Sequence, residues 1–262
     1  MANPQERSIV FFDLDGTLLN DDKQINDSTR EAIAALKAQG HIVAIATGRA
    51  PFFFDHIRRE LNIDTYVSYN GSYVVLEGQV VFTNPLNAEA LQTLTDLALN
   101  HEHAVVYMDH EGMRANVPSS ERINESIGTL QVGILPTHDP LYYKERPIYQ
   151  SLLFCAEGEE QPYETLVQTF DFIRWHPYSV DVLPSGGSKF KGIQKIAEKL
   201  NIPLERQYAF GDALNDLEML RGIPNSVAMG NGMPEAKEAA KWITTSNNED
   251  GIAQGLKLAG LL

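Results

Sequence analysis

The sequence predicts an α/β fold: a Rossmann-like, three-layer core built on a parallel sheet, with an α+β unit inserted into it. Three observations carry this. Short apolar runs alternate with amphipathic stretches at both ends of the chain, the rhythm of parallel strands covered by helices on both faces. The middle of the chain loses that rhythm and reads as antiparallel strands with a few helices. Acidic and glycine-containing clusters directly follow the apolar runs, and open parallel sheets hold ligands at the carboxyl ends of their strands. The core is expected at 1–82 and 184–262, and the insertion at 83–183.

Ser8 to Phe12 is a continuous apolar run, hence a strand buried on both faces. Asn26 to Gln39 reads as a helix with Ile33 and Leu36 on one side, Asp27 or Ser28 as its cap and Gly40 as its stop. His41 to Ala46 is a second strand, Pro51 to Leu61 a second helix and Tyr66 to Ser68 a third strand. Val74-Val75-Leu76 and Val80-Val81-Phe82 flank Glu77-Gly78-Gln79 as a hairpin. In the insertion, Ala88 to Asn100, Ser119 to Leu130 and Pro162 to Gln168 read as helices. His103 to Met108, Met113 to Val117, Tyr149 to Ala156 and Phe170 to Leu183 read as strands. The core then resumes with helices at Lys189 to Leu200, Leu214 to Arg221, Pro234 to Ala240 and Gly251 to Leu261, and strands at Gln207 to Phe210 and Ser226 to Met229.

With 43% hydrophobic and 21% charged residues, the 262-residue chain is that of a globular protein. A net charge of −14 without a Lys/Arg cluster argues against nucleic acid as a partner. It also means that any phosphate site must be local, built from a metal, a lysine and backbone N–H groups. No apolar run reaches the ~18–20 residues of a membrane span, and the polar stretch Met1 to Arg7 has no signal-peptide core. The single cysteine, Cys155, excludes an internal disulfide, fits a cytoplasmic location and reads as a small buried hydrophobe.

Four clusters carry chemistry. Asp13-Leu14-Asp15-Gly16-Thr17 follows the first strand, where two carboxylates can converge above the sheet; alone it could be a polar turn. Thr47-Gly48-Arg49 follows the second strand and offers a hydroxyl and a backbone N–H to a phosphate oxygen, though Thr-Gly is also a common link. Ser188-Lys189 opens a helix, whose N-terminus favours anions; Lys191 is the rival for the same role, and a solvated surface lysine is the plain alternative. Gly211-Asp212-Ala213-Leu214-Asn215-Asp216 sets two carboxylates about one helical turn apart, suited to Mg²⁺, a hard ion that takes oxygen ligands; a helix N-cap would explain one of them but not both. Independent caps and turns would not all be expected at carboxyl strand ends and facing helix starts.

These four clusters, in this order, resemble the motifs of the haloacid dehalogenase superfamily. The insertion resembles the large α+β cap of its Cof-type branch, as do Tyr69-Asn70-Gly71 and Asn248-Glu249-Asp250-Gly251-Ile252-Ala253. The resemblance covers nearly the whole chain, the cap by position and pattern more than by residue. Phe190 stands where the branch usually has glycine after the lysine, and the downstream Ile193, Ile196, Leu200 and Ile202 favour Lys189 over Lys191. The resemblance implies a Mg²⁺-dependent phosphatase acting on a small-molecule phosphate ester. Asp13 would be the nucleophile and Asp15 the general acid and base, its pKa raised once the cap covers it. Leu14, Thr47, Gly48, Lys189 and Asn215 would hold the phosphate. Asp13, the Asp15 carbonyl, Asp212 and Asp216 would hold the metal. The cap would exclude water and select the leaving group.

Candidates for substrate contact are Asn70, Gly71, Arg114 and Asp181. Asn70-Gly71 also reads as a tight turn and Arg114 as a solvated strand residue. His101, His103 and His110 match no familiar zinc spacing. Phe52-Phe53-Phe54 reads as packing, and Trp175 and Tyr178 as packing or substrate contact. Two other functions are open: a sugar phosphomutase, which would need more cationic cap residues to hold a bisphosphate, and a non-catalytic ligand-binding regulator, which would be expected to have lost motif residues. The oligomeric state is not legible.

Overall fold

The structure, a computed structural model, describes residues 7–130 and 133–262. The polar N-terminal stretch lies, except for Arg7, outside the described residues. The chain forms two compact units. One contains the residues up to Arg49, Asp55–Thr83 and Ser188–Leu262; the other contains Ala50–Phe54 and Asn84–Gly187.

The first unit begins with β1 (Ile9–Phe12), α1 (Asp27–Ala38), β2 (Ile42–Ala46), α2 (Asp55–Glu60), β3 (Tyr66–Ser68), β4 (Tyr73–Leu76) and β5 (Gln79–Thr83). The inserted unit follows with α3 (Ala88–Asn100), β6 (Ala104–Met108), β7 (Met113–Ala115), α4 (Glu121–Thr129), β8 (Thr137–His138), α5 (Tyr142–Glu145), β9 (Gln150–Phe154), β10 (Phe170–His176) and β11 (Ser179–Pro184). The first unit is completed by α6 (Lys189–Leu200), β12 (Gln207–Gly211), α7 (Leu217–Gly222), β13 (Asn225–Ala228), α8 (Pro234–Ala239), β14 (Trp242–Ile243) and α9 (Gly251–Leu258).

The first unit's eight strands run in the order β14-β13-β12-β1-β2-β3-β4-β5. The sheet is parallel from β14 to β3, and β4 and β5 add an antiparallel edge. Every residue of β1 is buried because β1 is central and covered on both faces. On one face Ile9, Phe11, Ala44 and Ala209 pack with Ile193, Ile196, Met219 and Ala236 of α6, α7 and α8. Burying each large aliphatic or aromatic side chain contributes about 1.5–3 kcal/mol. The inserted unit has a six-stranded sheet, β10-β11-β9-β6-β7-β8. One face of it, carrying Val105, Tyr107, Leu153, Val180 and Val182, packs on Leu91, Leu94 and Ala98 of α3; Cys155 is buried in the same core.

Three expected helices differ from the observed elements. Pro51 to Leu61 is a 3₁₀ turn, Pro51–Phe53, followed by α2, with a break at Phe54 (φ −123°, ψ 14°). Successive helical residues point about 100° apart, so a continuous helix would spread the three phenylalanines round its axis; Phe54 is fully buried. Leu214 to Arg221 begins as a 3₁₀ turn, Leu214–Asp216, because the Asp216 carboxylate accepts from the N–H groups of Asp212 and Ala213. Pro162 to Gln168 is a 3₁₀ turn, Gln161–Leu166, whose buried residues Tyr163 and Leu166 have the three-residue spacing of that helix. At α1 the N-cap is Asn26, not Asp27 or Ser28. Its side chain makes no cap bond and donates instead to the Asn247 carbonyl at 2.7 Å.

Candidate active site

Asp13 follows β1, Thr47 follows β2 and Asp212 follows β12, so three adjacent strands deliver three motif residues at their carboxyl ends. The Asp13 N–H donates to the Phe210 carbonyl of β12 (3.0 Å), and the Thr47 N–H to the Val67 carbonyl of β3 (2.8 Å). Lys189 is the first residue of α6, where the Ser188 hydroxyl caps the helix by accepting from the Lys191 N–H (3.3 Å). The lysine side chain is fully buried. Its Nζ donates to Asp13 Oδ1 (2.5 Å) and to Asp216 Oδ1 (2.7 Å). Lys191, its rival in the sequence, is exposed.

Asp216 is fully buried and has both oxygens engaged. Oδ1 takes Lys189, and Oδ2 accepts from the N–H groups of Asp212 (2.9 Å) and Ala213 (3.0 Å). Asp212 accepts from the Thr17 hydroxyl at 2.7 Å. Gly16, at φ +77°, makes room for it: a Cβ there would sit 2.3 Å from Asp212 Oδ2. One carboxylate oxygen from each of Asp13, Asp212 and Asp216 lies within 4.8 Å of the others. Three carboxylates facing one ammonium leave two negative charges uncompensated.

The electrostatics record that surplus. Burial raises the Asp13 pKa well above its ordinary value; Asp216 and Asp212 add to this and Lys189 opposes it. Burial and the neighbouring Asp216 push Asp212 up to about 6, against the hydrogen bond from Thr17. Burial would lower the Lys189 pKa, but Asp13 and Asp216 outweigh it and the ammonium is held above its usual range.

Asp15 departs from expectation. Its carboxylate stands apart from the acidic trio and is gripped by Arg49, from Nε (2.7 Å) and Nη2 (2.6 Å), and by Lys23 (2.9 Å). Burial would raise its pKa, but the Arg49 fork and Lys23 outweigh burial and hold it below the ordinary value. The raised pKa expected from the sequence is therefore reversed in this arrangement.

The other phosphate-site candidates gather at the same strand ends. The Thr47 hydroxyl accepts from the Arg49 N–H (3.1 Å), and Asn70 Oδ1 accepts from Asn215 Nδ2 (3.2 Å). A Cβ on Gly48 would lie 3.1 Å from the Asn70 side chain. Asn70 holds a left-handed conformation (φ 49°, ψ 39°), which asparagine tolerates. Gly71, at φ +100°, lets this turn approach α6 so closely that a Cβ would be 2.1 Å from the Ser188 carbonyl. Asn70-Gly71 is thus a tight turn packed against Gly48, Asn215 and the start of α6. The Leu14 side chain is fully buried, and its carbonyl accepts from the Leu19 N–H at 2.9 Å.

Arg114 and Asp181 belong to the inserted unit. Arg114 lies over the Tyr142 ring at 5.0 Å and donates to the Met113 carbonyl (2.8 Å). In register with Tyr107, it lies on the face that packs on α3. His103 bonds the Tyr163 hydroxyl (2.7 Å) and pairs with Glu159. Sequence reasoning gave no role to Thr17 or Arg49, although both stood inside quoted motifs. Lys23 and Asn231, which donates to the Gly16 carbonyl (2.8 Å), carry no local signal.

Comparison with known proteins identifies the family. A family model described as haloacid dehalogenase-like hydrolase matches residues 10–256. A protein of Bacillus subtilis (strain 168) named as a phosphatase, YkrA, is 45% identical over 98% of this chain and 99% of its own. The 5-amino-6-(5-phospho-D-ribitylamino)uracil phosphatase YitU of the same organism is 31% identical over 95% of this chain and 96% of its own. A crystal structure from Geobacillus kaustophilus HTA426 superposes with a TM-score of 0.95 at 49% identity, covering 98% of this chain and 100% of that one. Among the described residues no helix is long and apolar enough to cross a membrane. With the family model spanning nearly the whole chain and its relatives named as phosphatases, the chain belongs to the haloacid dehalogenase-like hydrolases, in their Cof-type phosphatase branch.

Proposed function

We propose that this phosphatase hydrolyses small-molecule phosphate monoesters with Mg²⁺, through an aspartyl-phosphate on Asp13, in the cytoplasm. The observation that carries the reading is the buried Asp13–Lys189–Asp216 group with Asp212 beside it. The donor set fits the ion: carboxylate oxygens only, within 4.8 Å of one another, with two negative charges in excess. Asp13 and Asp212 would hold it, with the Asp15 carbonyl. Asp216, already bonded at both oxygens, would act directly or through water. When bound, Mg²⁺ supplies positive charge against the transferring group.

Asp13 attacks phosphorus, and the bond from phosphorus to the leaving oxygen breaks. Lys189, fixed between two carboxylates, holds Asp13 in one rotamer and reduces its repulsion of the incoming phosphate. Leu14 and Gly48 through backbone N–H groups, the Thr47 hydroxyl and the Asn215 amide bind the phosphate oxygens; Asn70 orients Asn215. Asp15 protonates the leaving alcohol and then takes a proton from the water that hydrolyses the aspartyl-phosphate. To carry that first proton it must leave Arg49 and Lys23. The inserted unit selects the leaving group. The ribitylamino-uracil phosphate named for one relative supports a small organic phosphate as substrate.

The test is phosphate release from a panel of sugar, nucleotide and cofactor monophosphates with Mg²⁺ or EDTA, for wild type and Asp13→Asn. Release that requires the metal and falls by about 10⁴ or more in the variant is expected for loss of a nucleophile. Unchanged turnover in Asp13→Asn would overturn the mechanism.

A further inference from the structure

The amino ends of the parallel strands, opposite the motif residues, carry a cleft of about 600 Å³. That is within the range of ordinary small-molecule sites, about 300–1,000 Å³. The cleft is built from the far ends of the four elements that deliver the motifs. Arg7 precedes β1, Ile42 opens β2, Leu200 closes α6 and Arg206 precedes β12. The other ends of these elements lead to Asp13, Thr47, Lys189 and Asp212. Since α6 has 12 residues, about 18 Å of helix separates the cleft from Lys189. The wall is largely apolar: Ile42 and Ile202 are buried, and Leu200 and Pro203 flank them. It is also fixed, because Gln207 Nε2 donates to the Ile202 carbonyl (3.0 Å) and the Ile202 N–H to the Ala197 carbonyl (3.0 Å). The charge of the cleft is the exception in this chain, which has 35 acidic residues against 21 Lys and Arg. Arg30, Arg49, Arg58, Arg122, Arg146 and Arg174 each pair with a carboxylate. Among the described residues, neither Arg7 nor Arg206 does, and no acidic side chain lines the cleft. Arg7 Nε donates to the Gly40 carbonyl (3.1 Å), which steadies the guanidinium and leaves its Nη groups for another acceptor.

We propose that this cleft is a second binding site, separate from the acidic site, for a small organic anion: a carboxylate, phosphate or sulfonate group on an apolar or aromatic body. The two guanidinium groups repel one another unless an anion lies between them, and each presents a planar fork suited to an oxyanion. The apolar wall takes the body of the ligand, which an inorganic ion would leave unused. The adjoining hollow, of about 360 Å³, shares Arg7 and Ile42 but is lined by Asp64 and Glu77, so the anionic group belongs in the larger cleft. A bound ligand touches the ends of β1, β2, α6 and β12 opposite those that hold Asp13, Thr47, Lys189 and Asp212. The site is independent of how the acidic site works, because no residue is common to both.

The probe is 1-anilinonaphthalene-8-sulfonate, an anionic group on an apolar aromatic body that a phosphatase does not hydrolyse. Its fluorescence is titrated with the full chain as wild type, Arg7→Gln, Arg206→Gln and Arg59→Gln. Arg59 is an exposed arginine of α2, so its loss changes net charge equally without touching the cleft. Saturable binding to wild type is expected. Arg7→Gln and Arg206→Gln should each weaken it roughly 10- to 100-fold, as for loss of a charge-assisted hydrogen bond, and Arg59→Gln by less than about twofold. Circular dichroism checks that the variants are folded. A second measurement needs no variant: raising NaCl from about 50 to about 500 mM should weaken binding to wild type roughly 3- to 10-fold, and N-phenyl-1-naphthylamine, which lacks the sulfonate, should bind at least about tenfold more weakly. No saturable binding, losses in Arg59→Gln equal to those in the cleft variants, binding unchanged in Arg7→Gln and Arg206→Gln, or binding indifferent to salt and to the sulfonate would each overturn the site.

Discussion

Replacing Lys189 by methionine isolates what one buried ammonium does. The two side chains are similar in length and volume, so the substitution leaves little cavity and removes mainly charge. The lysine side chain is 0% exposed, and its partners Asp13 and Asp216 are 7% and 0% exposed. Removing one partner of a buried ion pair costs about 3–5 kcal/mol because the other charge remains desolvated. For a chain of this size each kcal/mol moves the melting temperature by about 2–4 °C, so a fall of roughly 6–20 °C is expected at pH 8. Acid should shrink the loss. Without the ammonium, burial and mutual repulsion raise the folded-state pKa of the remaining carboxyls further, so the folded state binds more protons than the unfolded one. Stability then falls as pH rises from about 4 through the raised values, and the variant is closer to wild type at pH 5 than at pH 8. Differential scanning calorimetry at both pH values, without divalent ions, measures this. A variant within about 2 °C of wild type at pH 8, or an equal loss at both pH values, would refute the charge argument. Turnover should fall by about 10²–10³, the usual cost of losing one electrostatic contact to a reacting group.

Asp181 should make stability pH-dependent by itself. A carboxyl raised by burial from 3.8 to about 7 favours folding at acid pH, and that contribution is lost as pH rises through 7. Urea unfolding of wild type should lose at most about 3 kcal/mol between pH 5 and 8 from this group, and Asp181→Asn should flatten that part of the slope. Gly71→Ala places a methyl 2.1 Å from the Ser188 carbonyl at φ +100°, so it should cost at least about 2 kcal/mol in calorimetry and lower turnover by displacing Lys189. Asp15→Asn should behave oppositely. Its pairs with Arg49 and Lys23 leave Asp15 42% exposed, so melting should shift by no more than about 3 °C, while turnover falls by about 10²–10⁴.

Much of the fold is legible because a parallel strand buried on both faces leaves an unmistakable trace. Ile9–Phe12, Ile42–Ala46 and Gln207–Gly211 are short apolar runs followed at once by polar motif residues. What the sequence hides is local. The strands Thr137–His138 and Trp242–Ile243 are two residues long and have no period to read. The 3₁₀ start before α7 depends on where the Asp216 carboxylate turns, which no spacing encodes.

The same distinction separates the parts of the site. Asp13, Thr47, Lys189 and Asp212 are legible because their positions follow from strand ends and a helix start. Asp15 is only half legible. Its place after β1 is fixed by the sequence, but its charge state is set by Arg49, 34 residues away, and by Lys23, eight residues away in a loop. Burial alone would raise its pKa, whereas a forked guanidinium and an ammonium hold it as an anion. On the proposed mechanism the residue that delivers a proton is thus stored ionised and apart from the acidic trio. Turning Asp15 away from Arg49 both frees it to accept a proton and removes the charges that keep it ionised. On the proposed mechanism one side-chain rotation would therefore couple the position of the acid to its readiness.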